Sequence, residues 1–127
     1  MLDAFQIKEA LAELQNLIPV PIIAVHTKYW ALAYGETAAR FWRALKAGVT
    51  LATTRFCYGD DFTVENYNEI ESLSPREESA IFADAISKLL GNNICCVPVA
   101  HVDQSNGTTV GLGDTFVAGF LPAALAE

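Results

Sequence analysis

One α/β domain, in which strands alternate with helices, is what this sequence predicts. Three observations predict it. Apolar residues recur at helical spacing over 3–18, 37–54, 74–90 and 114–125. Three apolar runs, at 22–25, 30–34 and 94–99, are too short for globular helices. Prolines and glycines fall between these segments, where a chain must change direction.

The first helix, over 3–18, opens on Asp3, with Gln6 at capping-box distance. Ile7, Leu11, Leu14 and Ile18 lie on one face, and Pro19 and Pro21 stop it. Ile22-Ile23-Ala24-Val25, ending at His26, reads as a buried strand. Trp30-Ala31-Leu32-Ala33-Tyr34 reads as a second strand, closed by Gly35. Over 37–54 a second helix is expected, with Ala38, Trp42, Leu45, Val49 and Ala52 at helical spacing, and Phe56-Cys57-Tyr58-Gly59 leads into the acidic segment.

Residues 60–84 hold eight acidic groups and one basic group, Arg76, and read as a solvated face with short helical pieces. Within it, Ser74-Pro75-Arg76-Glu77 has the form of a helix start, with Ser74 as the cap. Ile81, Ala85, Ile86 and Leu89 supply the buried stripe, and Gly91 ends the helix. Ile94-Cys95-Cys96-Val97-Pro98-Val99 reads as a strand that Pro98 restricts to an edge or an irregular end. A polar loop over 103–109 precedes Val110-Gly111-Leu112-Gly113-Asp114, and a last helix runs over 114–125.

Composition narrows the function classes. The chain has 127 residues, 52% of them hydrophobic, so it is long enough and apolar enough to bury a core. Its net charge is −7, and the acid is concentrated beyond residue 50, with 11 acidic groups against 3 basic ones. No Lys/Arg cluster is present to neutralise a run of phosphates, so no nucleic-acid partner is expected. No apolar stretch reaches the roughly 18 residues of a membrane span, so no membrane partner is expected. The opening Met1-Leu2-Asp3-Ala4 lacks the basic region of a signal peptide. Cys57, Cys95 and Cys96 have no CxxC spacing and read as reduced, buried thiols of a cytoplasmic protein.

The chemistry concentrates in Thr108-Thr109-Val110-Gly111-Leu112-Gly113-Asp114-Thr115-Phe116-Val117-Ala118-Gly119-Phe120. Two glycines flanking one residue let the backbone turn tightly and let an anion approach the main chain. The helix that follows points unpaired N–H groups at that anion, aided by its dipole. A carboxylate at that helix start can take a proton from an attacking hydroxyl while the amides stabilise a transferring phosphoryl group. The plainer reading is a turn before a helix, with Asp114 only a cap.

This stretch resembles the GxGD signature of the ribokinase-like sugar kinases, and most closely that of the ADP-dependent glucokinases and phosphofructokinases. Ala24-Val25-His26-Thr27-Lys28-Tyr29 resembles the His-Thr strand end of that family. Val97-Pro98-Val99-Ala100-His101-Val102 resembles the strand and nucleotide loop that precede the signature. The resemblance covers nearly the whole chain. It implies the C-terminal portion of a ribokinase-like α/β sandwich, with the N-terminal strands and the lid absent.

The resemblance also implies roles. Asp114 would be the catalytic base, and the amides of Gly111, Leu112, Gly113 and Asp114 the anion hole. His26, with Tyr29 or Trp30, would lie by the nucleotide, and Val102 near the adenine. ADP, a sugar or sugar phosphate, and Mg2+ would be the partners, with no magnesium ligand identified in this chain. Each residue has a structural alternative: His26 as a hydrogen-bonded histidine, Tyr29 and Trp30 as packing residues, Val102 as core. His101 is expected to be exposed and without a role.

The sequence departs from the family in length, since its members run to several hundred residues. Asn66-Tyr67-Asn68-Glu69 and Asn68-Glu69-Ile70-Glu71 fit the family's magnesium-linked Asn-x-x-Glu pattern but stand in the wrong order. Half a doubly wound sheet exposes a strand edge and an apolar face. A homo-oligomer or a complementing kinase N-terminal chain is therefore expected to cover them. Three functions follow: a kinase part that works when complemented, a non-catalytic nucleotide- or phosphate-binding module, and an oligomerisation or structural domain.

Overall fold

A computed structural model describes residues 2–102 and 111–126. The loop expected over 103–109, and Val110, lie outside the described residues.

The elements run α1 (Ala4–Leu17), β1 (Ile22–His26), β2 (Trp30–Gly35), α2 (Trp42–Tyr58), α3 (Val64–Glu71), α4 (Glu77–Leu90), β3 (Ile94–Pro98) and α5 (Leu112–Leu125). Short 3-10 turns precede α2, at Ala38–Phe41, and β3, at Gly91–Asn93. The strands form one sheet in the order β1-β2-β3, both pairings antiparallel. The β1–β2 corner is tied by Thr27, whose hydroxyl accepts from the Tyr29 and Trp30 amides at 3.2 and 3.1 Å. Pro98 ends β3 opposite Trp30, at an edge of the described sheet, where its missing N–H costs no inner ladder bond.

The central strand explains the layering. Alternate β2 residues point to opposite faces, and Trp30, Ala31, Leu32 and Ala33 are all buried. Trp30 and Leu32 pack with Leu11 of α1 and Phe82 and Ile86 of α4. Ala31 and Ala33 pack with Leu45, Val49 and Ala52 of α2 and Phe116 of α5. The sheet is thus sandwiched between α1/α4 and α2/α5. Each buried aromatic or branched side chain contributes roughly 1.5–3 kcal/mol of transfer free energy. On one face the Trp30 and Phe82 rings also stack, with centroids 5.1 Å apart.

On the other face the helices approach backbone to backbone. A Cβ on Gly48 would lie 2.6 Å from the Phe116 ring, and one on Gly119 would lie 2.8 Å from the Ala47 carbonyl oxygen. Only glycine at both positions permits this spacing of α2 and α5. The crossing fixes where α5 begins relative to the end of α2.

Several boundaries differ from expectation. The helix expected over 37–54 divides into the turn at Ala38–Phe41 and α2, which continues to Tyr58 before Gly59 (φ +78°) ends it. The acidic segment contains a complete helix, α3, because Thr63 and Asn66 form a reciprocal capping box. Ser74 does not cap α4: the helix starts at Glu77 with Arg76 as its cap residue. Residues 74–76 instead pair with 99–101. The His101 amide donates to the Ser74 carbonyl at 3.0 Å, and the Arg76 amide donates to the Val99 carbonyl at 3.1 Å. That pairing keeps Ser74 extended and three residues outside the helix. The last helix begins two residues earlier than expected, at Leu112.

Asp3 does cap α1, its carboxylate accepting from the Gln6 amide at 3.1 Å. Among the described residues, no helix is long and apolar enough to cross a membrane.

Candidate functional site

The site forms at the first turn of α5. Gly111 is its N-cap residue, in the left-handed region at φ +79° and ψ +7°, and carries no side chain to cap the helix. The Thr115 amide makes the first helical bond, donating to the Gly111 carbonyl at 3.0 Å. The amides of Leu112, Gly113 and Asp114 therefore have no partner within the helix. Gly113 and Asp114 are exposed, and a Cβ on Gly113 would meet none of the described residues within 4 Å, so none of those residues blocks approach from that side. The corner presents main-chain amides at the positive end of a helix dipole, with one carboxylate beside them. That arrangement can hold an oxyanion and accept a proton next to it.

A cation joins them that sequence reasoning missed. Arg55, from the last turn of α2, lies against the corner: its Nη1 is 2.9 Å from where a Gly111 Cβ would be. The same nitrogen donates to the Thr115 hydroxyl at 3.2 Å, and Nε pairs with Asp60 at 2.9 Å. Sixty residues separate Arg55 from Thr115, and no periodicity links them. The available signal was that only three basic residues follow residue 50.

His26, at the end of β1, reaches the same region. Its ring lies flat on Phe116 at 4.4 Å between centroids, tilted by 10°. The stack continues from Phe116 to Phe120 at 5.6 Å and from Phe120 to Phe41 at 6.2 Å. Burial lowers the His26 pKa below its ordinary value. The sign of the consequence follows from linkage. As pH falls through the unfolded-state value, about 6.5, the unfolded chain takes the proton first. Stability is then lost until the pH passes the lower folded-state value, and is constant below it. Urea midpoints measured from pH 7.5 downward are expected to fall more in the wild type than in His26→Phe, which keeps a ring on Phe116 and does not titrate. Equal slopes would show that His26 is not the group responsible.

Tyr29 and Trp30 are placed otherwise. Trp30 is 2% exposed and stacked on Phe82, which makes it a packing residue with no face for a nucleotide. Tyr29 packs with the α1/α4 cluster, and Lys28 Nζ and the Arg76 guanidinium lie 5.1 and 5.7 Å from its ring. Val102 is half-buried, directly before 103–110. His101 is exposed.

The Asn-x-x-Glu matches have local roles. Asn66 accepts from the Thr63 amide at 2.8 Å, and Glu69 accepts from the Tyr58 hydroxyl at 2.9 Å. Among the described residues, no three His, Cys, Asp or Glu side chains gather where a metal ion could be held. No magnesium ligand is identified among the described residues. The three cysteines are free thiols, with Cys57 and Cys95 buried. Burial raises the pKa of all three, and Cys96, with Cys95 beside it, is pushed up to about 12. None has the lowered pKa of a nucleophilic thiol.

No protein-family model and no curated protein matches the chain. Solved structures do. A phosphofructokinase from Pyrococcus horikoshii OT3 with AMP superposes at a TM-score of 0.71 with 22% identity, covering 91% of this chain and 28% of that one. An ADP-dependent kinase in complex with fructose-6-phosphate and ADPβS gives 0.74 with 17% identity, covering 98% and 33%. A last common ancestor of ADP-dependent phosphofructokinases from Methanosarcinales gives 0.75 with 18% identity, covering 98% and 31%. The chain thus has the fold of part of an ADP-dependent sugar kinase and spans about three-tenths of the length of the structures it matches.

Proposed function

We propose that this chain supplies the phosphate-binding corner and the general base of a sugar kinase of the ADP-dependent glucokinase/phosphofructokinase type. A sugar hydroxyl attacks the terminal phosphorus of ADP and gives its proton to the Asp114 carboxylate. The bond from that phosphorus to the bridging oxygen breaks, and AMP leaves. The amides of Leu112, Gly113 and Asp114 steady the charge on the transferring group. His26, stacked on Phe116, stands on the nucleotide side of the corner. Magnesium would neutralise charge on the phosphates, with no protein ligand for it identified in this chain.

The observation that carries this reading is the left-handed Gly111 corner, with Gly113 and Asp114 both exposed in the same turn. The likeness to kinases captured with AMP, or with fructose-6-phosphate and ADPβS, supports the substrate class. Phosphoryl transfer needs acceptor and donor aligned with water excluded, and this chain spans about three-tenths of those proteins. Activity therefore depends on the rest of such a kinase being supplied. Val117, Leu121 and Leu125 form an exposed stripe along α5, 46%, 48% and 83% accessible, that the rest of such a kinase or a second copy would cover.

That stripe also favours a second reading, a non-catalytic nucleotide-binding or oligomerisation module. Calorimetry with ADP, AMP and ATP tests the corner. ADP is expected to bind, and Gly113→Glu to abolish the heat without lowering the melting temperature, because Gly113 is exposed, the new side chain meets none of the described residues, and its charge repels a phosphate at the amides. No heat with any of the three sinks the kinase and nucleotide-binding readings together. Binding with no phosphoryl transfer, even after the rest of such a kinase is added, leaves the module.

A further inference from the structure

We infer that Arg55 is a positioning residue for the α5 corner, holding Gly111 in its left-handed conformation through Thr115, with Asp60 fixing the guanidinium from behind. The relay is continuous. Gly59, at φ +78°, ends α2 with its amide bonded to the Arg55 carbonyl at 2.8 Å, and this turn brings Asp60 back to Arg55 Nε at 2.9 Å. Arg55 Nη1 then donates to the Thr115 hydroxyl at 3.2 Å. That hydroxyl donates onward to the Gly111 carbonyl at 2.9 Å, beside the Thr115 amide at 3.0 Å.

The order of donors matters. A hydroxyl has one proton and two lone pairs. With Arg55 on a lone pair, the Thr115 proton is directed at Gly111, and the charged donor polarises and strengthens that second bond. The Gly111 carbonyl therefore receives two bonds from one residue, which fixes its peptide plane and with it the direction of the amides that follow. The Arg55 side chain is 22% accessible, so solvent screens the relay only in part. A Cβ on Gly111 would sit 2.9 Å from Nη1, so the glycine and the arginine also fit each other sterically.

The inference rests on the proposed function only for its ligand readout, so the test uses two. The first is the Gly111 amide resonance in a 15N-labelled chain. The second is the affinity for ADP compared with adenosine, which lacks phosphate. Arg55→Gln and Thr115→Val are each expected to move the Gly111 resonance and to weaken ADP by about tenfold, the scale of one charge-assisted hydrogen bond. Adenosine affinity stays constant. The double variant is no weaker than the weaker single, because both break one relay. Thr115→Ser, which keeps the hydroxyl, restores both readouts.

A Gly111 resonance unmoved by either substitution, or losses that add in the double variant, overturns the inference. Loss of ADP affinity in Arg55→Gln alone, with Thr115→Val unaffected, also overturns it and makes Arg55 a direct contact. If the wild type binds no ADP, the functional reading has failed, and the Gly111 resonance alone decides the positioning role. Should Arg55→Gln not fold, Arg55→Lys keeps the charge but loses the forked geometry and is expected to move Gly111 in the same direction.

Discussion

Asp114→Asn is expected to lower phosphoryl transfer by about 10²–10⁴-fold in the complemented kinase, the range for removing a general base. The amide has the size of the carboxylate and cannot take the sugar's proton. Asp114 is exposed and stands third in α5, so the carboxylate adds to the fold only its interaction with the helix dipole. Removing that interaction costs about 0.3–1 kcal/mol. A loss of rate at nearly constant melting temperature, with ADP binding retained, would therefore isolate the chemical step. A variant that turns over at the wild-type rate would remove Asp114 from the mechanism while leaving the corner as a binding site.

Gly119→Ala is expected to destabilise the chain by about 1–3 kcal/mol, the usual cost of forcing an extra carbon into a packed core. Two effects oppose each other. Alanine favours a helix over glycine by about 0.8–1 kcal/mol. Against this, the new Cβ would meet the Ala47 carbonyl oxygen at 2.8 Å, and the Ala47 carbonyl carbon and Gly48 Cα at 3.1 Å. All three are main-chain atoms that no rotamer change can move, so the helices must separate. Gly113→Ala is the control, since Gly113 is exposed and its Cβ meets none of the described residues within 4 Å. Denaturant unfolding should rank Gly119→Ala below both the wild type and Gly113→Ala. The parting of α2 from α5 should also weaken ADP binding, because Arg55 and Thr115 belong to different helices. Equal stability of all three chains would show that the crossing is looser than the distances imply.

Much of the scaffold was legible because its signals are local. Asp3 is read as a cap from its own neighbours, and Gly91 as a stop because its φ of +56° suits glycine. β1 and β2 were legible from short apolar runs between breakers. The misreadings arose where distant segments compete with local preference. Ser74 has the residues of a cap around it, yet backbone pairing with 99–101 takes that stretch first. Trp30 could be read from the sequence either as a packing residue or as an aromatic shelf, and only its place at the start of the central strand, stacked on Phe82, decides for packing.

The same division runs through the site. Gly111, Gly113 and Asp114 are adjacent in the chain and could be read together. His26 was tied to them by resemblance alone, and its stacking on Phe116 is a tertiary contact that spacing does not encode. Arg55 stayed hidden because a side chain at the end of one helix meets the start of another only after both have packed. The all-antiparallel pairing of the sheet was equally absent from the one-dimensional pattern.

The column of four rings from His26 through Phe116 and Phe120 to Phe41 acts on α5 as a keel does on a hull. It spans β1, α5 and the turn ahead of α2, so α5 cannot roll about its long axis without parting a pair of faces. Homologues with insertions or deletions between β3 and α5 could therefore keep the same bearing at the helix start, because the azimuth is set from below rather than by the connection that leads in.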